Sequence, residues 1–149
     1  LDGSLLGEVP VADQATVNQT VAKAKKAFLG WSKTPVKERV QVLFRFKMLL
    51  EKHSAELSEL IQQENGKTFS EAKAEIDKGI EVLEFATSLP QIWDQQVLEV
   101  SNGVQCQYER YPLGVVLSIV PFNFPAMVPM WTIPIAIGCG NAFILKPSE

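Results

Sequence analysis

The chain has few of the side chains that hold metals or staple secreted folds, with one histidine and two cysteines in 149 residues. Cys106 and Cys139 stand thirty-three positions apart, which matches no zinc-ligand spacing and no disulfide framework of a small secreted domain. No metal site is expected, and a reducing, cytoplasmic compartment is the expected location. An excess of positive charge is also missing. The net charge is −3, and the Lys and Arg residues are interspersed with Asp and Glu rather than gathered into a stripe, which argues against a nucleic-acid partner. The chain starts at Leu1 with no basic, apolar, small-residue leader, so neither a signal nor a transit peptide is read. G-x-G-x-x-G is absent too, and with it the usual dinucleotide fingerprint.

Charge of either sign is missing from the thirty-five residues Tyr111 to Leu145. A run this long raises the question of a membrane span. Pro112, Pro121, Pro125, Pro129 and Pro134, with Gly114, Gly138 and Gly140, interrupt any twenty-residue helix, and no aromatic and basic flanks frame one. Burial inside protein is the expectation, with no membrane partner. Polar side chains in such a segment are either hydrogen-bonded in place or positioned to act on something, and Asn123 is the first candidate.

What is present is ordinary globular composition, 46% apolar and 21% charged, in a chain long enough for one domain with a core. From Gln14 to about Leu89 apolar residues recur at helical spacing: Val17, Val21, Ala24 and Phe28; Val36, Val40, Leu43 and Leu50; Ile76, Ile80 and Leu83. The pattern predicts three amphipathic helices. Thr34-Pro35 reads as an N-cap with a first-turn proline, Asn65-Gly66 as a stop, and Thr68 with Glu71 as a capping box.

After Pro90 the period changes to two. Val104, Cys106 and Tyr108 fall on one side and Gln105, Gln107 and Glu109 on the other, after a Ser101-Asn102-Gly103 turn, which predicts a half-buried strand or hairpin. Val115 to Val120 is an apolar run interrupted only by Ser118, the pattern of a strand covered on both faces. Ala126 to Gly138 reads as a helix with internal prolines and Ala142 to Leu145 as a second short strand, which together make one βαβ unit. The fold class is therefore α/β, but incomplete: one βαβ step gives two strands where a doubly wound sheet needs more. The chain reads as the N-terminal piece of a larger protein.

The Pro121-Phe122-Asn123-Phe124-Pro125 turn follows the first apolar strand, at the carboxyl end of the sheet where α/β proteins place ligands. An Asn between prolines is either a turn former making local backbone bonds or a locked amide donor of the kind an oxyanion hole requires. Lys146 and Glu149 are either a solvated strand end or a polar grip on a ligand. Cys106 on the alternating strand and Cys139 in a buried Gly-Cys-Gly helix end are read as inert thiols. His53, in a Lys- and Glu-rich stretch, is read as a surface histidine.

Taken together, Pro121-Phe122-Asn123-Phe124-Pro125, Gly140-Asn141, Lys146-Pro147-Ser148-Glu149, Glu64-Asn65-Gly66-Lys67-Thr68, Gly7-Glu8-Val9-Pro10 and Tyr111-Pro112-Leu113-Gly114-Val115 resemble the aldehyde dehydrogenase superfamily along the whole chain. Phe122, Ala126-Met127-Val128-Pro129 and Gly140 to Leu145 are most similar to the CoA-acylating methylmalonate-semialdehyde dehydrogenases. The resemblance implies N-terminal helices and the first βαβ unit of a Rossmann-like NAD-binding domain. It also implies an oligomerisation strand at about residues 97–110, and a homo-oligomer. It further implies oxidation of a semialdehyde through a cysteine thioester, with NAD as cofactor and coenzyme A as co-substrate. The nucleophilic cysteine, the general base and the family's cofactor loop would lie beyond residue 149, so residues 1–149 alone are expected to be inactive.

By the same resemblance, Asn123 is the catalytic amide donor to the thiohemiacetal oxyanion. Lys146 and Glu149 hold the adenosine ribose, and Val120, Pro121 and Phe122 line the cofactor path. Lys78 stands where these enzymes usually carry an arginine linked to the substrate carboxylate; lysine keeps the charge and loses the bidentate fork, or simply covers a helix face. Two alternatives stay open. One is a hydrolytic semialdehyde dehydrogenase of the same superfamily, and the other is a stand-alone oligomerisation or interaction module built on the helices and the Val104 to Tyr108 edge.

Overall fold

The computed structural model describes residues 4–148. Helix α1 (Gln14–Trp31) begins at Asp13, whose carboxylate accepts from the Thr16 amide at 2.7 Å. Helix α2 (Val36–Lys52) begins after Pro35, which is itself the N-cap in extended conformation. Thr34 does not cap it, because its hydroxyl donates back to the Gly30 carbonyl. The single second helix expected from the sequence is two, since His53 leaves helical geometry (φ −102°, ψ 13°) and α3 (Ser54–Asn65) starts anew. The break lets Leu57 and Ile61 of α3 turn onto Ala72 and Ile76. Gly66 ends α3 with φ +77°, the left-handed stop that Asn65-Gly66 predicts.

Helix α4 (Phe69–Thr87) opens with the predicted capping box: the Glu71 amide donates to the Thr68 hydroxyl and the Thr68 amide to the Glu71 carboxylate. The short α5 (Leu89–Ile92) leads into β1 (Gln96–Ser101), which pairs antiparallel with β2 (Val104–Tyr108) across Asn102-Gly103. Sequence alternation predicts one buried face for this hairpin, yet every residue of both strands is exposed, Cys106 included. Nothing among the described residues packs over it.

Strand β3 (Val115–Ile119), helix α6 (Met127–Gly138) and strand β4 (Ala142–Lys146) form the expected βαβ unit, β3 and β4 pairing in parallel from Val115 with Ala142 to Ile119 with Lys146. The core lies between helices and this unit. Val40, Leu43, Leu83, Ala86 and Leu89 form its centre, with Ile135 and Ile137 of α6 packed against them. Gly79 lets α4 approach α6 closely: an added Cβ would sit 3.0 Å from Met130 Cγ. Trp31 Nε1 donates to the Ile137 carbonyl and ties in α1. Asn141, 6% exposed, accepts from the Leu113 and Gly114 amides and donates to the Ala136 carbonyl, joining both strands to the end of α6.

The uncharged run is less buried than its composition suggests. Leu113, Leu117, Ile119, Phe122 and Trp131 are exposed, and β3 has a strand neighbour on one edge only among the described residues. No described helix is long and apolar enough to cross a membrane.

Candidate active site

The two parallel strands end side by side. The Val120 amide donates to the Lys146 carbonyl at 3.2 Å, which brings together the predicted residues Val120 and Lys146 and places the 121–125 turn at the carboxyl edge of the strands. Val120 is buried, whereas Pro121, Phe122 and Asn123 are exposed. Glu149, predicted to share a role with Lys146, lies outside the described residues.

Residues from the α3–α4 junction hold the turn. Asn65 Nδ2 donates to the Phe122 carbonyl at 2.8 Å and Lys67 Nζ to the Asn123 carbonyl at 2.6 Å. Lys67 also sits 4.0 Å above the centre of the Phe124 ring and donates to Glu75 Oε2 at 2.5 Å. The Glu75 side chain is 0% exposed, and its other oxygen accepts from the Ala126 and Met127 amides at 2.8 and 3.0 Å. A buried carboxylate is costly unless its oxygens are bonded, and this one serves both as counter-charge to Lys67 and as acceptor for amides at the positive end of α6. The Asn123 carboxamide makes no hydrogen bond among the described residues. It is therefore not a turn former bonded to its own backbone.

Sequence reasoning missed Lys67 and Glu75 as parts of this site. The signal for Glu75 was an acid flanked by the apolar helix positions Ala72, Ile76 and Gly79. A charge on a core-facing helix stripe implies a partner, although not which one.

The other predicted residues lie elsewhere. Lys78 is exposed and donates to Glu81 at 2.5 Å. His53 is an exposed histidine against Glu56. Cys139 is half-buried, and burial pushes its thiol up from the ordinary value while Arg39 and Arg110 pull the other way. Among the described residues, neither cysteine is hydrogen-bonded to the turn.

A turn at the carboxyl edge of parallel strands, with its backbone anchored and one amide left over, belongs to a class of α/β site that binds a ligand at strand ends. The chain belongs to the aldehyde dehydrogenase family, which matches residues 1–149. It is 47% identical over 148 residues to malonate-semialdehyde dehydrogenase 2 of Geobacillus thermodenitrificans, covering 99% of this chain and 31% of that protein. Among solved structures it resembles methylmalonate-semialdehyde dehydrogenase (DddC) from Oceanimonas doudoroffii, with 45% identity, a TM-score of 0.91, and coverage of 93% of this chain and 29% of that one. PnpE from Pseudomonas sp. WBC-3 is 31% identical with a TM-score of 0.92 over 98% of this chain and 30% of its own, and PnpE has also been solved with nicotinamide adenine dinucleotide. The chain thus spans under a third of the length of the relatives it matches.

Proposed function

We propose that this segment belongs to an NAD-dependent dehydrogenase that oxidises malonate or methylmalonate semialdehyde and delivers the acyl group to coenzyme A. The observation that carries the reading is the unbonded Asn123 carboxamide on an anchored turn at the strand ends. An amide donor on an anchored backbone can stabilise charge that develops on a carbonyl oxygen in the transition state. A thiolate from a part of the enzyme outside residues 1–149 attacks the aldehyde carbon, and Asn123 Nδ2 donates to the oxygen that becomes negative. NAD, when bound, takes up the hydride.

The residues at the strand ends suit such a cofactor in kind. Lys146 is an exposed ammonium that can donate to ribose hydroxyls, and beside it Val120, Pro121 and Phe122 offer backbone and apolar surface. Glu149 takes the second ribose contact on the sequence resemblance alone. A substrate carboxylate at Lys78 would have to displace Glu81. The exposed β1–β2 hairpin is the surface through which subunits associate, in a cytoplasmic homo-oligomer.

The test is product analysis of the full-length enzyme with each semialdehyde and NAD, with and without coenzyme A. Acyl-CoA formation with stoichiometric NADH is expected. Free acid at the same rate in both arms makes the enzyme hydrolytic, and absence of NADH in all arms overturns the reading.

A further inference from the structure

We propose that Lys67 and Glu75 are positioning residues for the Asn123 carboxamide, acting as a half-buried ion pair that fixes the Cα–Cβ direction of Asn123 from the α3–α4 junction. The proposal rests on the reading of Asn123 as an oxyanion donor. Asn65 holds the carbonyl before Asn123 and Lys67 holds the carbonyl of Asn123 itself. Peptide units are planar, so fixing the units on both sides of one Cα fixes its φ and ψ, and with them the Cα–Cβ direction. Only the two side-chain torsions of Asn123 stay free.

Glu75 completes the frame. Its Oε2 orients Lys67 while its Oε1 grips the Ala126 and Met127 amides, so both ends of the 122–127 segment are referred to one carboxylate. Satisfying the first amides of α6 needs no charge, since a neutral Ser or Asn cap does as much without the desolvation cost of a buried carboxylate. What the pair adds over a cap is the ammonium on the Asn123 carbonyl. Gly66, with φ +77°, turns the chain between Asn65 and Lys67 so that neighbouring side chains reach neighbouring carbonyls.

The test is a double-mutant cycle in the full-length enzyme, with Lys67→Met made in the wild-type and Asn123→Ala backgrounds. Positioning errors of about 1 Å can cost on the order of 100-fold in rate, so a loss of at least about 10-fold in kcat is expected in the wild-type background. In Asn123→Ala the same change should cost under about 3-fold, because the group it positions is gone. An equal loss in both backgrounds, or no loss in the wild type, overturns the proposal. Full turnover by Asn123→Ala itself overturns the underlying reading instead, so the two failures are distinguishable. If Lys67→Met does not fold, Glu75→Gln, which removes the counter-charge of Lys67 while its amide oxygen can still accept from the Ala126 and Met127 amides, carries the same cycle with the same criteria.

Discussion

Arg39 Nε donates to the carbonyl of Gly138 at 2.8 Å, joining the first turn of α2 to the last residue of α6 across ninety-nine positions. The same guanidinium donates from Nη1 to the Thr34 carbonyl at 2.6 Å and lies over Trp93. At 4% exposure it is a buried cation whose positive charge is satisfied by carbonyls and a ring rather than by a carboxylate. It holds the helical layer against the βαβ unit, and so supports the strand ends where Asn123 and Lys146 stand.

Arg39→Met should therefore destabilise the protein by about 2–4 kcal/mol, since two carbonyls lose their donor in a buried setting. Chemical denaturation should show a lower midpoint with unchanged slope. Arg39→Lys should recover only part of the loss, because an ammonium lacks the planar fork that spans both carbonyls.

Gly140→Ala should be destabilising by at least about 1–2 kcal/mol, the cost of a side chain in left-handed geometry. Gly140 has φ +89°, and a Cβ there would come within 2.8 Å of Pro112 Cγ and 2.9 Å of Arg39 Nη1. The loss should be smaller in an Arg39→Met background, where the methionine can yield, and thermal denaturation of the four proteins measures it.

The base of the hairpin should be sensitive to pH at both extremes. Tyr108 donates to Asp94 Oδ2 at 2.8 Å and Arg110 donates to Oδ1 at 2.9 and 3.0 Å. The Tyr108 hydroxyl, then Arg110, hold the Asp94 carboxyl below its ordinary 3.8, so its contribution is present above that value and is lost as pH falls through the lowered pKa. Asp94 holds the Tyr108 phenol above its ordinary 10.0, so that contribution is present below 10.0 and is lost as pH rises through the raised pKa. Ultraviolet titration should find Tyr108 ionising later than a free tyrosine, and Asp94→Asn should bring it back toward the ordinary value.

Much of the frame was legible because its causes are local. The Thr68–Glu71 box and the Gly66 stop follow from residues a few positions apart, and each element of the β3–α6–β4 unit shows its own local apolar pattern. The break at His53 was not legible, since what favours it is a later packing of Leu57 and Ile61 onto α4. Thr34 misled because its hydroxyl found the Gly30 carbonyl behind it instead of the amides ahead. The alternation of β2 promised a buried face, but period two reports only which residues share a side, and no described element covers that side. At the site, the turn and Asn123 were visible as a motif. Lys67 and Glu75 were not seen as its supports, because their bonds to it span fifty-one to fifty-six positions.

Leu98→Asp should separate assembly from folding. Leu98 sits opposite Cys106 in the exposed hairpin, so a charge there disturbs nothing in the described core. Sedimentation of the full-length enzyme should show a smaller assembly with unchanged circular dichroism; an unchanged assembly would remove the hairpin from the interface.

Whether Asn123 donates to the reacting oxygen is decided by kcat of Asn123→Ala in the full-length enzyme with saturating NAD and semialdehyde. Loss of one oxyanion donor predicts a fall of about 10²–10³ with the folded structure and the KM for NAD preserved. A kcat within about 3-fold of wild type, well short of that range, would contradict it.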